Sequence, residues 1–221
     1  MPQIAIDEFE RLPLRVHAFL AGVPLHDVWA VDLPRARDGI TLVEFLQRAG
    51  GLFLQLPPAV RALLSMRFFV GALFGWDRVT PGSVSESFAQ RLTDEDRARS
   101  LAPAETPDGL FRIVYRFENE QLNEIVNRTV HAGALSALIE ATAGYRFYFA
   151  VYVREVSRFT PLYMAAIDPF RKLIVYPALL RSVAAQWNAM FGPDNRELYD
   201  YRWCCPKARC AGRQVKRSGY R

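Results

Sequence analysis

A chain of 221 residues, 51% hydrophobic and 23% charged, has the composition of a globular protein with a sizeable core. Global disorder is excluded, and at this length neither a disulfide nor a structural metal is needed for stability. The net charge of +5 does not imply a nucleic-acid-binding body. Arg202, Lys207, Arg209, Arg213, Lys216, Arg217 and Arg221 crowd the end with no acid among them, and the rest is close to neutral.

Residues 1–25 read as a poorly patterned lead-in, 26–190 as one domain, and 191–221 as a basic, Cys-containing tail expected to be disordered. Met1–Glu10 is mixed and acidic, with no secretory pattern. His26–Leu33 alternates as a half-buried strand: Val28, Ala30 and Asp32 on one side, Asp27, Trp29, Val31 and Leu33 on the other, mostly apolar side. Pro34 ends it. Thr41, with Glu44 three residues on, predicts a capping box for a short helix that stops at Gly50-Gly51.

Pro57-Pro58 predicts the start of a largely buried helix running to Phe74–Gly75. The apolar stretch Leu52–Trp76 is interrupted by Gln55, Pro57, Pro58, Arg61 and Arg67, so it is not read as a membrane span. Thr80–Gly109 is the least core-like region, a candidate lid, with a short helix capped by Thr93 and running to Arg99.

From Leu110 the period becomes two. Phe111, Ile113, Tyr115 and Phe117 are expected on one side, and Arg112, Arg116 and Glu118 on the other. Glu124–Glu140 offers one or two strands with a break at Asn127-Arg128 or Ala132-Gly133. Tyr145–Val156 is a long aromatic strand entered through Gly144. Phe147, Phe149, Val151 and Val153 oppose Tyr148, Ala150 and Tyr152, so either both faces are covered or one lines a pocket. Thr160-Pro161 opens a helical region to Met190, and Pro169 and Pro177 predict a kink, or a break near Asp168.

All three cysteines, Cys204, Cys205 and Cys210, lie in the tail. Adjacent cysteines fit tetrahedral zinc poorly, and no nearby His completes a set. No Ser/His/Asp order, phosphate-cradling Gly loop or HExxH is present, and no cofactor is expected. Gly71–Gly75 has GxxxG spacing without a membrane context. A reducing, cytoplasmic location is the expectation.

Segregated helices and consecutive strands mark an α+β protein. The order of elements is similar to the helix-grip architecture of the START/Bet v 1-like (SRPBCC) superfamily, a curved antiparallel sheet around a long C-terminal helix. ENEQL (Glu118–Leu122), NRTVHA (Asn127–Ala132), YMAAIDPFRKLIVYPALL (Tyr163–Leu180) and LTDEDRARS (Leu92–Ser100) resemble an uncharacterised bacterial family, DUF2867. The resemblance spans Trp29–Trp187, and Asp168–Arg171 is its most distinctive element. Two positions depart from it. Thr129-Val130 stands where many members carry His-Leu, with His131 nearby, and Arg171 stands where members tend to have His.

The resemblance implies an apolar cavity between sheet and helix that takes a small hydrophobic molecule or lipid. The alternative is a cyclase- or isomerase-type enzyme using the same cavity, with His131 or a carboxylate of raised pKa as acid–base. Candidate ligand-binding residues are His131, Arg171, Asp168, Tyr163, Asn127, Phe117 and Phe149. Each has a plain structural reading as well. His131 can be an ordinary strand residue, Asp168 can cap a helix restarting at Pro169 or pair with Arg171, and Asn127 and Glu120 can sit in turns or on the solvent face. Tyr163, Phe117, Phe149 and Trp187 can simply fill the core. Arg171 can hold a ligand carboxylate through its planar fork. Integral membrane association is not expected, and nucleic-acid contact would rest on the tail.

Overall fold

The computed structural model describes residues 3–50, 87–126, 130–156 and 160–192, apart from the side chains of Leu162 and Tyr163. Two one-turn-scale helices, α1 (Ile6–Glu10) and α2 (Arg15–Phe19), precede strand β1 (Leu25–Pro34) and helix α3 (Leu42–Ala49). After the 3-10 turn Phe88–Arg91 come helix α4 (Asp94–Arg99) and strands β2 (Pro107–Asp108), β3 (Phe111–Arg116), β4 (Glu120–Val126), β5 (His131–Ala141) and β6 (Gly144–Arg154). Helix α5 (Thr160–Phe170), a π turn (Arg171–Val175) and helix α6 (Tyr176–Phe191) complete the described chain. The buried helix expected at Pro57–Gly75, the GxxxG spacing and the cysteine-bearing tail lie outside the described residues.

The helix ends follow local chemistry. Thr41 accepts the Glu44 N–H and Gly50 closes α3 at φ 71°, a left-handed value that glycine adopts without a Cβ penalty. The Glu44 carboxylate does not turn back to complete a box; it pairs with Arg37 and Arg48. The reciprocal box is at α4, where Thr93 and Asp96 bond each other's backbone N–H groups.

The sheet is antiparallel throughout, in the order β1-β6-β5-β4-β3-β2. The first long strand pairs with the last, so the helices and turn between β1 and β2 must cross over the sheet. Gly144 permits the tight β5–β6 connection: at φ 157° a Cβ there would lie 2.2 Å from the Leu33 carbonyl oxygen of β1.

Both faces are buried. Trp29, Val31, Leu33, Phe147, Phe149, Val151 and Val153 pack under α3 and α6. Val28, Ala30, Tyr148, Ala150 and Tyr152 pack under α1, α2 and the 3-10 turn. The two-sided apolar pattern of Tyr145–Val156 thus reflects two covered faces. In β3 the strict alternation does not hold. The register slips between Ile113 and Tyr115, a bulge that inserts Val114. Phe111 packs with the α6 layer, whereas Val114, Tyr115 and Phe117 join the opposite one. Strand β4 also starts at Glu120 rather than Glu124.

The terminal helix neither breaks at Asp168 nor is capped by it. Asp168 lies inside α5, and the irregularity falls at Arg171–Val175, where the Tyr176 N–H bonds the Arg171 carbonyl five residues back. Pro177 explains the position: it has no N–H for the Leu173 carbonyl, and its ring crowds that oxygen. Widening to a π turn accommodates the extra residue.

Candidate functional site: a buried charge network where β1 meets the terminal helix

Two local irregularities assemble this site. The β1–β6 register shifts between Leu25 and Asp27, so His26 is an inserted residue. A bulge of this kind re-aims side chains that simple alternation would send to the other face. His26 and Asp27 consequently both reach the terminal helix. On that helix the π turn brings Arg171 and Tyr176 together, although five residues separate them.

Arg171 is the centre of the network. Its Nη1 donates to Asp168 at 3.0 Å, its Nη2 to Asp27 at 3.2 Å, and its Nε to the Tyr176 hydroxyl at 2.6 Å. Asp168 is also held by Lys172 at 3.0 Å and faces His26 Nε2 at 2.9 Å. Asp27 is fully buried, while His26 and Asp168 are partly exposed, with side-chain accessibilities of 27% and 20%. The network therefore runs from a wet rim to a dry interior.

The carboxylates respond differently. Burial pushes Asp27 above the ordinary carboxylate range, against the pull of Arg171 and His26. Burial also raises Asp168, but its hydrogen bonds with His26 and Lys172 outweigh that, and the net shift is downward. Burial raises the Tyr176 hydroxyl as well.

An aromatic wall stands beside the charges. The Tyr176 ring lies 5.4 Å from Trp29 and 5.6 Å from Phe149, and the Arg171 guanidinium sits 5.1 Å from its centroid. Within this wall Asp27 Oδ1 and Trp29 Nε1 are buried with no hydrogen-bond partner. Each such atom costs about 1–3 kcal/mol. Phe170, Leu173 and Ile174 on the helix and π turn are exposed large apolar side chains.

One ligand atom each from His26, Asp27 and Asp168 lies within 4.8 Å of the others, a spacing that a cation can bridge. Arg171 and Lys172 already supply positive charge to these carboxylates at 3.0–3.2 Å. A dication would have to displace them, so the donor set fits a metal poorly.

Of the seven candidate residues, Arg171, Asp168 and Phe149 come together here. Arg171's fork is engaged by Asp27, Asp168 and Tyr176, which takes it away from the expected ligand carboxylate. Tyr163 lies on α5 with its side chain outside the described residues, and Asn127 lies outside them altogether.

His131 and Phe117 occupy the opposite face. His131 is fully buried, stacks on Phe88 at 3.9 Å and lies 3.1 Å from Glu124 through Nε2; its Nδ1 has no partner. Glu124 also accepts from the Phe88 N–H at 2.9 Å and from Ser87. Phe117 stacks on Tyr115 at 4.5 Å. Glu120 is neither in a turn nor on the surface. It is buried, raised by that burial, and accepts from the Arg15 N–H at 2.8 Å and the Tyr115 hydroxyl at 2.6 Å, tying α2 to β4. Trp187 is a core residue, donating to the Pro34 carbonyl at 3.0 Å.

His26, Asp27, Trp29 and Tyr176 escape the candidate set. Asp27 and Trp29 had a legible signal, a carboxylate and an indole on the apolar side of a strand. His26 and Tyr176 depend on the bulge and the π turn.

Element order and strand pairing define the class: an α+β protein with an open six-stranded antiparallel sheet and a C-terminal helix, compatible with a helix grip. Residues 19–178 match the model of DUF2867, described as a protein of unknown function, and the chain belongs to that family. No curated protein and no solved structure matches it.

Proposed function

We propose that this protein binds a small hydrophobic molecule or lipid between the sheet and the terminal helix, in the manner of a START/Bet v 1-like helix-grip protein. The observation that carries the reading is the pair of unsatisfied buried polar atoms, Asp27 Oδ1 and Trp29 Nε1, within an aromatic wall. Natural interiors satisfy nearly all such groups, and binding sites combine apolar walls with a few convergent polar atoms. The β1-β6-β5-β4-β3-β2 order with a helix after the last strand supports the helix-grip assignment. The exposed Phe170, Leu173 and Ile174 offer an apolar rim for entry.

Native mass spectrometry of the gently purified full chain tests this directly. The expected result is a co-purifying apolar mass, or uptake of one from a broad lipid and fatty-alcohol panel. A chain that carries and accepts none contradicts the proposal.

A second reading is favoured by Asp27 itself. A buried carboxyl of raised pKa on the helix-facing side is the kind of group an isomerase or cyclase uses as acid–base. If a substrate is turned over, Asp27→Asn should abolish turnover while leaving binding within a few fold. Full turnover by that variant removes this reading.

A further inference from the structure

The stretch formed by α5 and the π turn is polarised the wrong way for a surface helix. Such a helix ordinarily turns its apolar side to the core and its charges to water. Here the charged residues turn inward: Arg171 bonds Asp27 of β1 and Asp168, and Asp168 in turn holds Lys172 and faces His26. The exposed residues between Met164 and Tyr176 are Ala165, Ala166, Pro169, Phe170, Leu173 and Ile174, every one apolar. They recur as adjacent pairs four residues apart, which sets them in one stripe along the helix. The other exposed large apolar side chains among the described residues, Ile6, Leu101 and Leu110, stand singly in sequence.

Area and charge together select what covers this stripe. Phe170, Leu173 and Ile174 are 52%, 76% and 38% exposed, and with the three smaller residues they present roughly 400 Å² of apolar surface. That is about half of the ~800 Å² per partner in a stable protein interface, too little to hold a second copy of this chain. A bilayer sets no such minimum, because apolar side chains enter the headgroup boundary individually. The stripe contains no acid, and Lys172 flanks it with a side chain 37% exposed. The same chain carries seven basic residues and no acid from Arg202 to Arg221. Apolar insertion combined with a polybasic run is the pair of signals that holds a protein at an anionic membrane surface.

We propose that the stripe on α5 and the π turn docks on an anionic lipid surface. Phe170, Leu173 and Ile174 enter the headgroup boundary, and the basic C-terminal run meets the lipid phosphates. This goes beyond the binding reading above and does not depend on it, because docking requires no enclosed ligand.

Co-sedimentation of the full chain with vesicles tests the proposal. One set is pure phosphatidylcholine; in the other about a third of the lipid is phosphatidylglycerol. Partitioning should be about tenfold stronger on the anionic vesicles and should fall toward the neutral value as salt is raised. Leu173→Asp should lower it about tenfold. Leu101→Asp, at an exposed site outside the stripe, should leave it within about twofold. Leu173→Trp reads insertion itself: on anionic vesicles its emission should shift further to the blue than that of the parent chain, which has four tryptophans. Circular dichroism establishes that each variant is folded. Binding to neither vesicle overturns the proposal. So does salt-sensitive binding that Leu173→Asp leaves unchanged, which assigns it to the basic run alone. Dimerisation of the parent that Leu173→Asp abolishes gives the stripe to a second copy. A urea midpoint lowered by Leu173→Asp and not by Leu101→Asp gives it to another segment of this chain. Either of these results also overturns the proposal.

Discussion

The two faces of the sheet both bury carboxylates, but they finish them differently. On the α2 side, Glu120 and Glu124 have every oxygen engaged, by the Tyr115 hydroxyl, the Arg15 N–H, Ser87, the Phe88 N–H and His131. On the α6 side, Asp27 keeps one oxygen without a partner, and Trp29 beside it keeps its N–H. The first arrangement welds helices to strands. The second leaves donor and acceptor capacity inside an aromatic wall, next to a network that reaches solvent at His26 and Asp168. Orphan ring nitrogens also exist on the α2 side, at His17 and His131, each on an imidazole packed against a phenylalanine, Phe9 and Phe88. The lesson is that buried charge alone does not distinguish a site from a strut; an incompletely paired buried carboxylate does.

The largest expected effect comes from removing the hub. Arg171→Met leaves Asp27 and Asp168 without their shared counter-charge, and should cost about 3–5 kcal/mol in urea unfolding. The corresponding break on the α2 side, Arg15→Met, removes a partly exposed cation from a single buried carboxylate, Asp96, which keeps its hydrogen bonds with Thr93, and should cost about 1–2 kcal/mol. If the two losses are equal, the distinction between the faces fails.

Two buried tryptophans in the same layer sharpen the comparison. Trp187 donates to Pro34 and is fully enclosed, so Trp187→Phe should cost about 2–3 kcal/mol. Trp29→Phe removes a donor that has no partner, and its effect in ligand-free protein should be about 1 kcal/mol or less, in either direction.

Acid titration separates the faces further. Asp96 is held at about 2 by hydrogen bonds from Arg15 and Thr93. A depressed carboxylate contributes stability that is complete above its ordinary pKa of about 4 and lost as pH falls through the folded value. Asp96→Asn should therefore cost about 1–2 kcal/mol at pH 7, after discounting for a partly exposed Arg15, and progressively less toward pH 2. Asp27 has the opposite sign. Its raised folded pKa means the native state holds the proton longer, so its contribution falls as pH rises from the ordinary carboxylate range through the folded value. Asp27→Asn should remove that decline, the smallest of these effects, visible as a flatter stability profile above pH 4.

Much of the fold was legible because period-two and capping signals are local. The strand through Trp29, the aromatic strand through Phe149, and the Thr41 and Thr93 caps all follow from neighbouring residues. What alternation could not convey is the insertion of single residues. The bulge at Val114 moves Tyr115 and Phe117 away from Phe111, the bulge at His26 turns that side chain toward the helix, and the π turn joins Arg171 to Tyr176. Each irregularity shifts the phase of an otherwise correct pattern. Half of the site was hidden for that reason. Among the described residues no helix is long and apolar enough to cross a membrane.

Hydrogen–deuterium exchange with and without saturating decan-1-ol tests the central claim most directly. Binding between sheet and terminal helix predicts added protection at Leu25–Pro34 and Arg171–Val175, with the α2 and Phe88–Arg91 amides unchanged. Protection confined to the α2 side, or none at β1 and the π turn under saturating ligand, would contradict it.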